Sequence, residues 1–237
     1  MRYIPNKITE MVADGIQVKG EKNNFYTFPL SGNHAIYIII NITNCTSLRG
    51  LFTGIKLSSI SFTPEFNTEN IEDMNSMFDG CNSLVSINFS NLNTKNVKNM
   101  EAMFYDCNSL QSMDFSNLDL RSVEVMYKFC YFCHSLTLVN FTNTRTLNVT
   151  SYPGIFGYCW NLTSLELPNF EAKNIDTLFL NCPNLRYIDI HSINCQSNDW
   201  FGVAAGYDFF NNGTIKINGN CASITQNPFS NWTIIKN

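Results

Sequence analysis

Between residues 126 and 136 the chain reads MYKFCYFCHSL. Cys130, Cys133 and His134 there match the C-x-x-C-H pattern that tethers haem through two thioether bonds, and a thiol pair at that spacing can also hold zinc. Seven further cysteines, Cys45, Cys81, Cys107, Cys159, Cys182, Cys195 and Cys221, bring the total to nine, an odd number that leaves at least one thiol without an intramolecular partner. The remaining histidines, His34 and His191, stand far from the motif, and only His191 lies near a carboxylate, Asp189. Neither a glycine-rich phosphate loop, a nucleophile elbow nor a zinc-binding helix motif occurs in the chain. We therefore assign no catalytic residue, no metal ligand and no cofactor, and expect a protein that is not an enzyme.

Bulk properties narrow the partners. A formal charge of -4, with 14% of residues charged, offers no basic field for nucleic acid. The longest apolar run, Ile36 to Ile40, suits a strand and is far too short to cross a bilayer, so membrane insertion is not expected. MRYIPNKITEM at the start has no hydrophobic signal region, which reads as a chain that is neither secreted nor membrane-spanning. Asparagine is abundant, 34 residues, so the eight N-x-S/T sequons do not establish a secretory route.

Self-similarity explains the cysteines. Asn or Ser recurs at 44, 70, 96, 122, 148 and 174, a spacing of 26 residues, and opens the same phrase each time. Asn70 opens NIEDMNSMFDGC, Asn96 opens NVKNMEAMFYDC, Ser122 opens SVEVMYKFCYFC and Asn148 opens NVTSYPGIFGYC; the phrase from Asn174 is three residues shorter. Counting the opening residue as zero, apolar residues fall at positions 1, 4, 7, 8 and 11, as in Val97, Met100, Met103, Phe104 and Cys107. That stripe predicts a short helix in every unit, with the opening Asn or Ser as its N-cap. Next comes L-x-x-Φ-x-Φ, with Φ apolar, as in Leu110, Met113 and Phe115, whose period of two predicts a short strand.

In this frame Cys133 takes the slot of Cys81, Cys107, Cys159 and Cys182, Cys130 the slot of Phe78 and Phe104, and His134 that of Asn82 and Asn108. The haem-like motif reduces to two core positions and a loop variant. Five cysteines in register imply a ladder of free thiols, since side chains stacked in parallel point alike and cannot reach the bridge torsion. Cys195 and Cys221, outside the repeats, are candidates for a disulfide.

These units, N-V-x-x-M-x-x-M-F-x-x-C-x-S-L-x-x-Φ-x-Φ, clearest at 70–118 and running over about 44–193, resemble the BspA-like leucine-rich repeats of mycoplasma, gut-bacterial and protist surface proteins. The resemblance implies adhesion or another protein-binding role at the cell surface. An intracellular scaffold within a larger assembly is the alternative that the missing export signal and the reduced cysteines favour.

The expected architecture is an α/β leucine-rich-repeat solenoid with one short helix and one short strand per unit, in one continuous domain. Its six repeats at 44–193 would sit between an N-terminal cap, 1–43, and a C-terminal cap, 194–237. Within the N-terminal cap, NKITEMVADG suggests a short helix ended by Gly15, GIQVKGEKNNFYTF a hairpin and IYIII a strand; GTIKING and NWTIIKN suggest strands near the C-terminus. Two faces are candidates for a protein partner, a small-molecule ligand being less expected. The concave sheet face would carry Asn88, Asp114, Asn140, Glu166, Tyr187 and Asp189, read either as an ordinary solvated surface or as a groove. The aromatic residues beside the repeat cysteine, Tyr105, Tyr131, Phe132, Tyr158 and Trp160, would form a lateral patch over the third to fifth units, unless the rings fold back over the core.

Overall fold

A computed structural model describes residues 8–13, 16–18, 36–146, 148–149, 154–167, 178–190, 212–217 and 232–236. The repeats wind into a β-solenoid of about five turns. One short strand per turn stacks in parallel: β4 (Ser59–Ser61) on β5 (Ser86–Asn88), β6 (Ser112–Asp114) on β7 (Leu138–Asn140), and β8 (Ser164–Glu166) on β9 (Tyr187–Ile190). These are the strands expected from L-x-x-Φ-x-Φ, and their central residues, among them Met113, Val139, Leu165 and Ile188, point into the core. Two later strands, β10 (Thr214–Ile217) and β11 (Thr233–Lys236), continue the parallel sheet from β9 in the order β9-β10-β11.

The helices are not there. Among the described residues no helix occurs, and the segments read as helical are runs of overlapping tight turns. Between Met74 and Cys81 the N–H groups of Met77, Asp79 and Cys81 donate three residues back, to the carbonyls of Met74, Ser76 and Phe78. The intervening N–H groups leave the coil altogether: Met74, Ser76, Phe78 and Gly80 donate to the carbonyls of Asn99, Glu101, Met103 and Tyr105 in the next one, at 2.8–2.9 Å. A helix would bond every N–H internally four residues back. Here alternate amides serve turn and neighbour, which satisfies the backbone while fixing the stacking.

This geometry needs left-handed backbone at positions 6 and 10 of each unit. Those positions are Gly50 and Gly54, Ser76 and Gly80, Ala102 and Asp106, Lys128 and Phe132, Gly154 and Tyr158, with φ between 52° and 71°. Each falls at the third residue of a four-residue turn, where a type II turn demands positive φ. The expected N-cap role is also replaced: the side-chain amides of Asn96 and Asn148 donate backward, to Glu69 O and Arg121 O of the preceding coil, both at 2.8 Å.

At the N-terminus the predicted helix is instead a strand, β1 (Ile8–Ala13), paired antiparallel with β2 (Ile16–Val18) and with β3 (Ile36–Ile40). The antiparallel register runs from Met11 opposite Val18 to Ala13 opposite Ile16. The rest of the predicted hairpin, and the candidate pair Cys195 and Cys221, lie outside the described residues.

Inside, rings and thiols repeat from coil to coil. Phe52, Phe78 and Phe104 stack at 5.4 and 5.2 Å, and a second column runs Phe89, Phe115, Phe141 at 5.2 and 5.0 Å. In the fourth unit the first column continues on Phe129, edge-on to Phe104 at 5.3 Å, because Phe129-Cys130 replaces the usual Met-Phe. The ring moves back one residue and Cys130 fills the smaller space, its Sγ 3.9 Å from Met113 Sδ. Cys81, Cys107, Cys133, Cys159 and Cys182 are buried and not in disulfides. Each donates its S–H to a main-chain carbonyl of the preceding coil, Phe52, Phe78, Phe104, Cys130 and Phe156 respectively, at 2.9–3.2 Å. A thiol suits the slot as a small apolar group with a weak donor. Burial pushes the Cys81 thiol up to about 11 and the Cys182 thiol up to about 12.

Candidate interaction face

The turn column carries side chains outward as well as inward. Amide bonds from each coil to the next hold equivalent residues in line, so positions 9 and 10 of successive units stand side by side. Four of the expected aromatics meet directly there. Tyr105 and Tyr131 stack at 5.9 Å and 5°, Tyr131 meets Tyr158 at 5.2 Å, and Phe132 lies 4.7 Å from Tyr131 and 4.8 Å from Tyr158. Trp160 joins through His134, the two rings stacked at 3.9 Å, and His134 lies 5.9 Å from Phe132. Most of these rings are half-buried, whereas Trp160 is 46% exposed.

What holds the stripe is the backbone beneath it. Tyr131 lies over two glycines of the next coil: a Cβ on Gly154 would come within 3.0 Å of its ring, and one on Gly157 within 2.3 Å. Its phenol is pushed up to about 12 by burial, with the neighbouring Tyr158 hydroxyl adding to the effect. Lys128 places its ammonium 5.0 Å from the centre of the Tyr127 ring and 5.1 Å from that of Tyr131. Sequence reasoning missed His134, Tyr127 and Lys128. His134 was legible in principle, since it precedes Trp160 by one 26-residue repeat and so occupies the same slot.

Side chains of the sheet face are largely engaged in their own structure. Asn88 accepts from the Ser90 N–H at 2.9 Å, Asp114 from the Ser116 N–H at 3.0 Å and Asn140 from the Thr142 N–H at 2.8 Å, each turning the chain after its strand. Asn140 also donates to Asp114 at 3.0 Å. Farther along, Asp189 is buried and accepts from the Tyr187 hydroxyl at 3.3 Å, with Lys216 Nζ 3.5 Å away. Glu166 is exposed on the same face. A shallow polar groove at the opening residues of the units, including Asn44, Asn70 and Asn96, is crossed by an exposed Lys98–Glu72 ion pair.

As for chemistry, Cys130 and Cys133 of the haem-like motif are core residues, and among the described residues no group of three His, Cys, Asp or Glu could hold a metal ion. Nor is any described helix long and apolar enough to cross a membrane. Stacked 26-residue coils, a parallel strand in each and an inward column of Leu, Phe and Cys define the class, a leucine-rich-repeat solenoid of BspA type. The chain belongs to the family described as "Mycoplasma protein of unknown function, DUF285", whose model matches residues 46–170, just over half its length. The model for the "BspA type Leucine rich repeat region", in six copies, matches residues 124–237. Among solved structures, a leucine-rich repeat protein from Bacteroides ovatus is similar, with 16% identity over 79% of this chain and 68% of that one and a TM-score of 0.35. No curated protein matches. Repeats of this class are generally non-catalytic modules for protein interaction.

Proposed function

We propose that this solenoid binds a protein partner through the lateral stripe formed by Tyr105, Tyr131, Phe132, Tyr158 and Trp160. One observation carries the reading: Phe132 and Tyr158 are bulky aromatics held at φ 64° and 59°, in slots where the first two coils use Gly54 and Gly80. An L-residue in that conformation costs about 1–2 kcal/mol relative to the right-handed region. Strain of this kind, at positions where the repeat has a strain-free alternative, is characteristic of residues retained for what they present rather than for what they pack. Prior stacking of the rings also lowers the entropy lost when a partner docks.

The test uses glycine, which the fold already accepts there. Affinity capture from the source cells with the full chain, and with the Phe132→Gly, Tyr158→Gly double variant, should retain the same partner only in the first case, while circular dichroism shows the variant folded like the parent. Retention by both would sink the reading. Family membership favours adhesion at a cell surface, and the reduced core thiols favour a scaffold inside the cell. Intact mass with thiol counting on native protein separates them, because glycans point to the first and a full set of free thiols to the second.

A further inference from the structure

The stripe has one open end. Tyr105 presses one face on Tyr131 and meets the edge of Phe132 at 5.6 Å and 83°, and among the described residues its other face meets no ring. That side looks toward the preceding coil, where the Gly80 N–H bonds to the Tyr105 carbonyl at 2.8 Å and so brings Asp79-Gly80 alongside Tyr105-Asp106. Two glycines floor it. A Cβ at Gly54 would meet nothing within 4 Å, and one at Gly80 nothing nearer than Gly54 itself at 3.9 Å.

A carboxylate borders this shelf. Asp106 accepts a hydrogen bond from the Asn108 side chain at 2.9 Å and, among the described residues, has no ion-pair partner. Asp79 stands in the same slot as Tyr105, one coil earlier. The stripe also demonstrates a liking for cations, since the ammonium of Lys128 already sits over Tyr127 and Tyr131. Tyr105 offers a second such ring with acid beside it. A planar guanidinium can lie flat on a phenol and donate in-plane to carboxylates at the same time, which an ammonium cannot.

Building on the proposed role of the stripe in partner binding, we propose that the shelf bounded by Tyr105 and Asp106 receives an arginine of the partner polypeptide. An apolar neighbour of that arginine docks on Phe132 and Tyr158. The partner segment is therefore basic and apolar, complementary to a chain of net charge -4.

Fluorescein-labelled octapeptides of alternating Arg and Leu, Lys and Leu, or Glu and Leu test this against the full-length chain by fluorescence anisotropy. The arginine peptide should bind most tightly and the glutamate peptide about tenfold or more weaker, with the arginine affinity falling as salt rises. Asp106→Asn and Tyr105→Leu should each weaken the arginine peptide about fivefold. Asparagine is at home at the φ of 58° found at Asp106, so that variant should melt as the parent does. Equal binding of arginine and glutamate peptides, or an Asp106→Asn variant of full affinity, overturns the arginine assignment. If the Phe132→Gly, Tyr158→Gly variant then releases all three peptides alike, the stripe is a general apolar docking face and the broader reading stands. If that variant keeps full affinity for every peptide, both fail.

Discussion

Exchanging alanine and glycine within the turn column gives opposite signs for a helix and for stacked turns. Ala102 sits at φ 52° and Gly80 at φ 70°, equivalent left-handed corners of neighbouring coils. Converting Ala102 to Gly removes about 1–2 kcal/mol of backbone strain, against about 0.5–1 kcal/mol for the extra freedom of glycine in the unfolded chain. The net expectation is a gain of about 0.5–1 kcal/mol, or about 1–4 °C in melting temperature for a chain of this size. The reverse change, Gly80→Ala, should lose about the same amount, and for conformational reasons alone, because the new Cβ would meet nothing nearer than 3.9 Å. Urea denaturation followed by far-ultraviolet circular dichroism measures both. Had residues 97–107 been helical, Ala102→Gly would instead destabilise by about 1 kcal/mol. That sign, found together with a neutral Gly80→Ala, would refute the stacked-turn account.

Three further outcomes are expected. Cys107→Ala should cost about 1 kcal/mol and Cys107→Ser about 2, since the shorter hydroxyl reaches poorly for the Phe78 carbonyl now 3.1 Å from the sulfur and is left under-bonded in the core; chemical denaturation ranks them, and a serine variant as stable as the parent contradicts the argument. Gly157→Ala drives a methyl into the Tyr131 ring, with a loss of about 1–3 kcal/mol and of the near-ultraviolet signal of the stacked tyrosines; an unchanged spectrum counts against the glycine seat. Cys81, Cys182 and Tyr131 all have folded pKa values raised above ordinary thiol and phenol values, to about 11, 12 and 12. Their contribution is thus complete below pH 9 and lost as pH rises from there through 12. The urea midpoint should fall between pH 8.5 and pH 10.5, and a flat profile would show that these groups ionise as freely in the fold as outside it.

The strands and the buried set were legible because they depend on period and polarity alone. Leu110, Met113 and Phe115 could only be a short strand entering a core, and all three are buried. The turn column was not, because apolar residues at 1, 4, 7, 8 and 11 satisfy a helical stripe and a chain of tight turns equally well. What separates the two is where glycine falls: Gly50, Gly54, Gly80 and Gly154 occupy the corner positions, a placement that costs a helix and relieves a type II turn. In the third and fourth units Ala102, Lys128 and Phe132 hide that signal, since nothing in their chemistry asks for positive φ. The stretch Ile8–Ala13 shows no clean period of two, its pairing with β3 being interrupted between Ile8 and Glu10, and it meets a helical pattern loosely. In the sequence only the Asp14-Gly15 dipeptide between two apolar runs hints at a hairpin. The aromatic stripe was legible from slot counting. Its contact with Lys128 was not, because that depends on a flexible side chain finding two rings.

The amides that pass between coils in the turn column all point the same way. From Leu48 to Asp73, Met74 to Asn99, Met100 to Val125 and Cys130 to Ile155, the N–H faces the carboxyl-terminal end and the C=O the amino-terminal end. Aligned peptide groups, each of about 3.5 D, sum along an axis as they do in a helix. This edge of the stack is therefore an electret, positive toward its last coil and negative toward its first, and every added coil lengthens it. On the strand side the bonds from Val85 to Ser58, Thr137 to Gln111 and Arg186 to Thr163 run the other way, so the polarity lies across the stack, between its two edges, rather than along the whole rod.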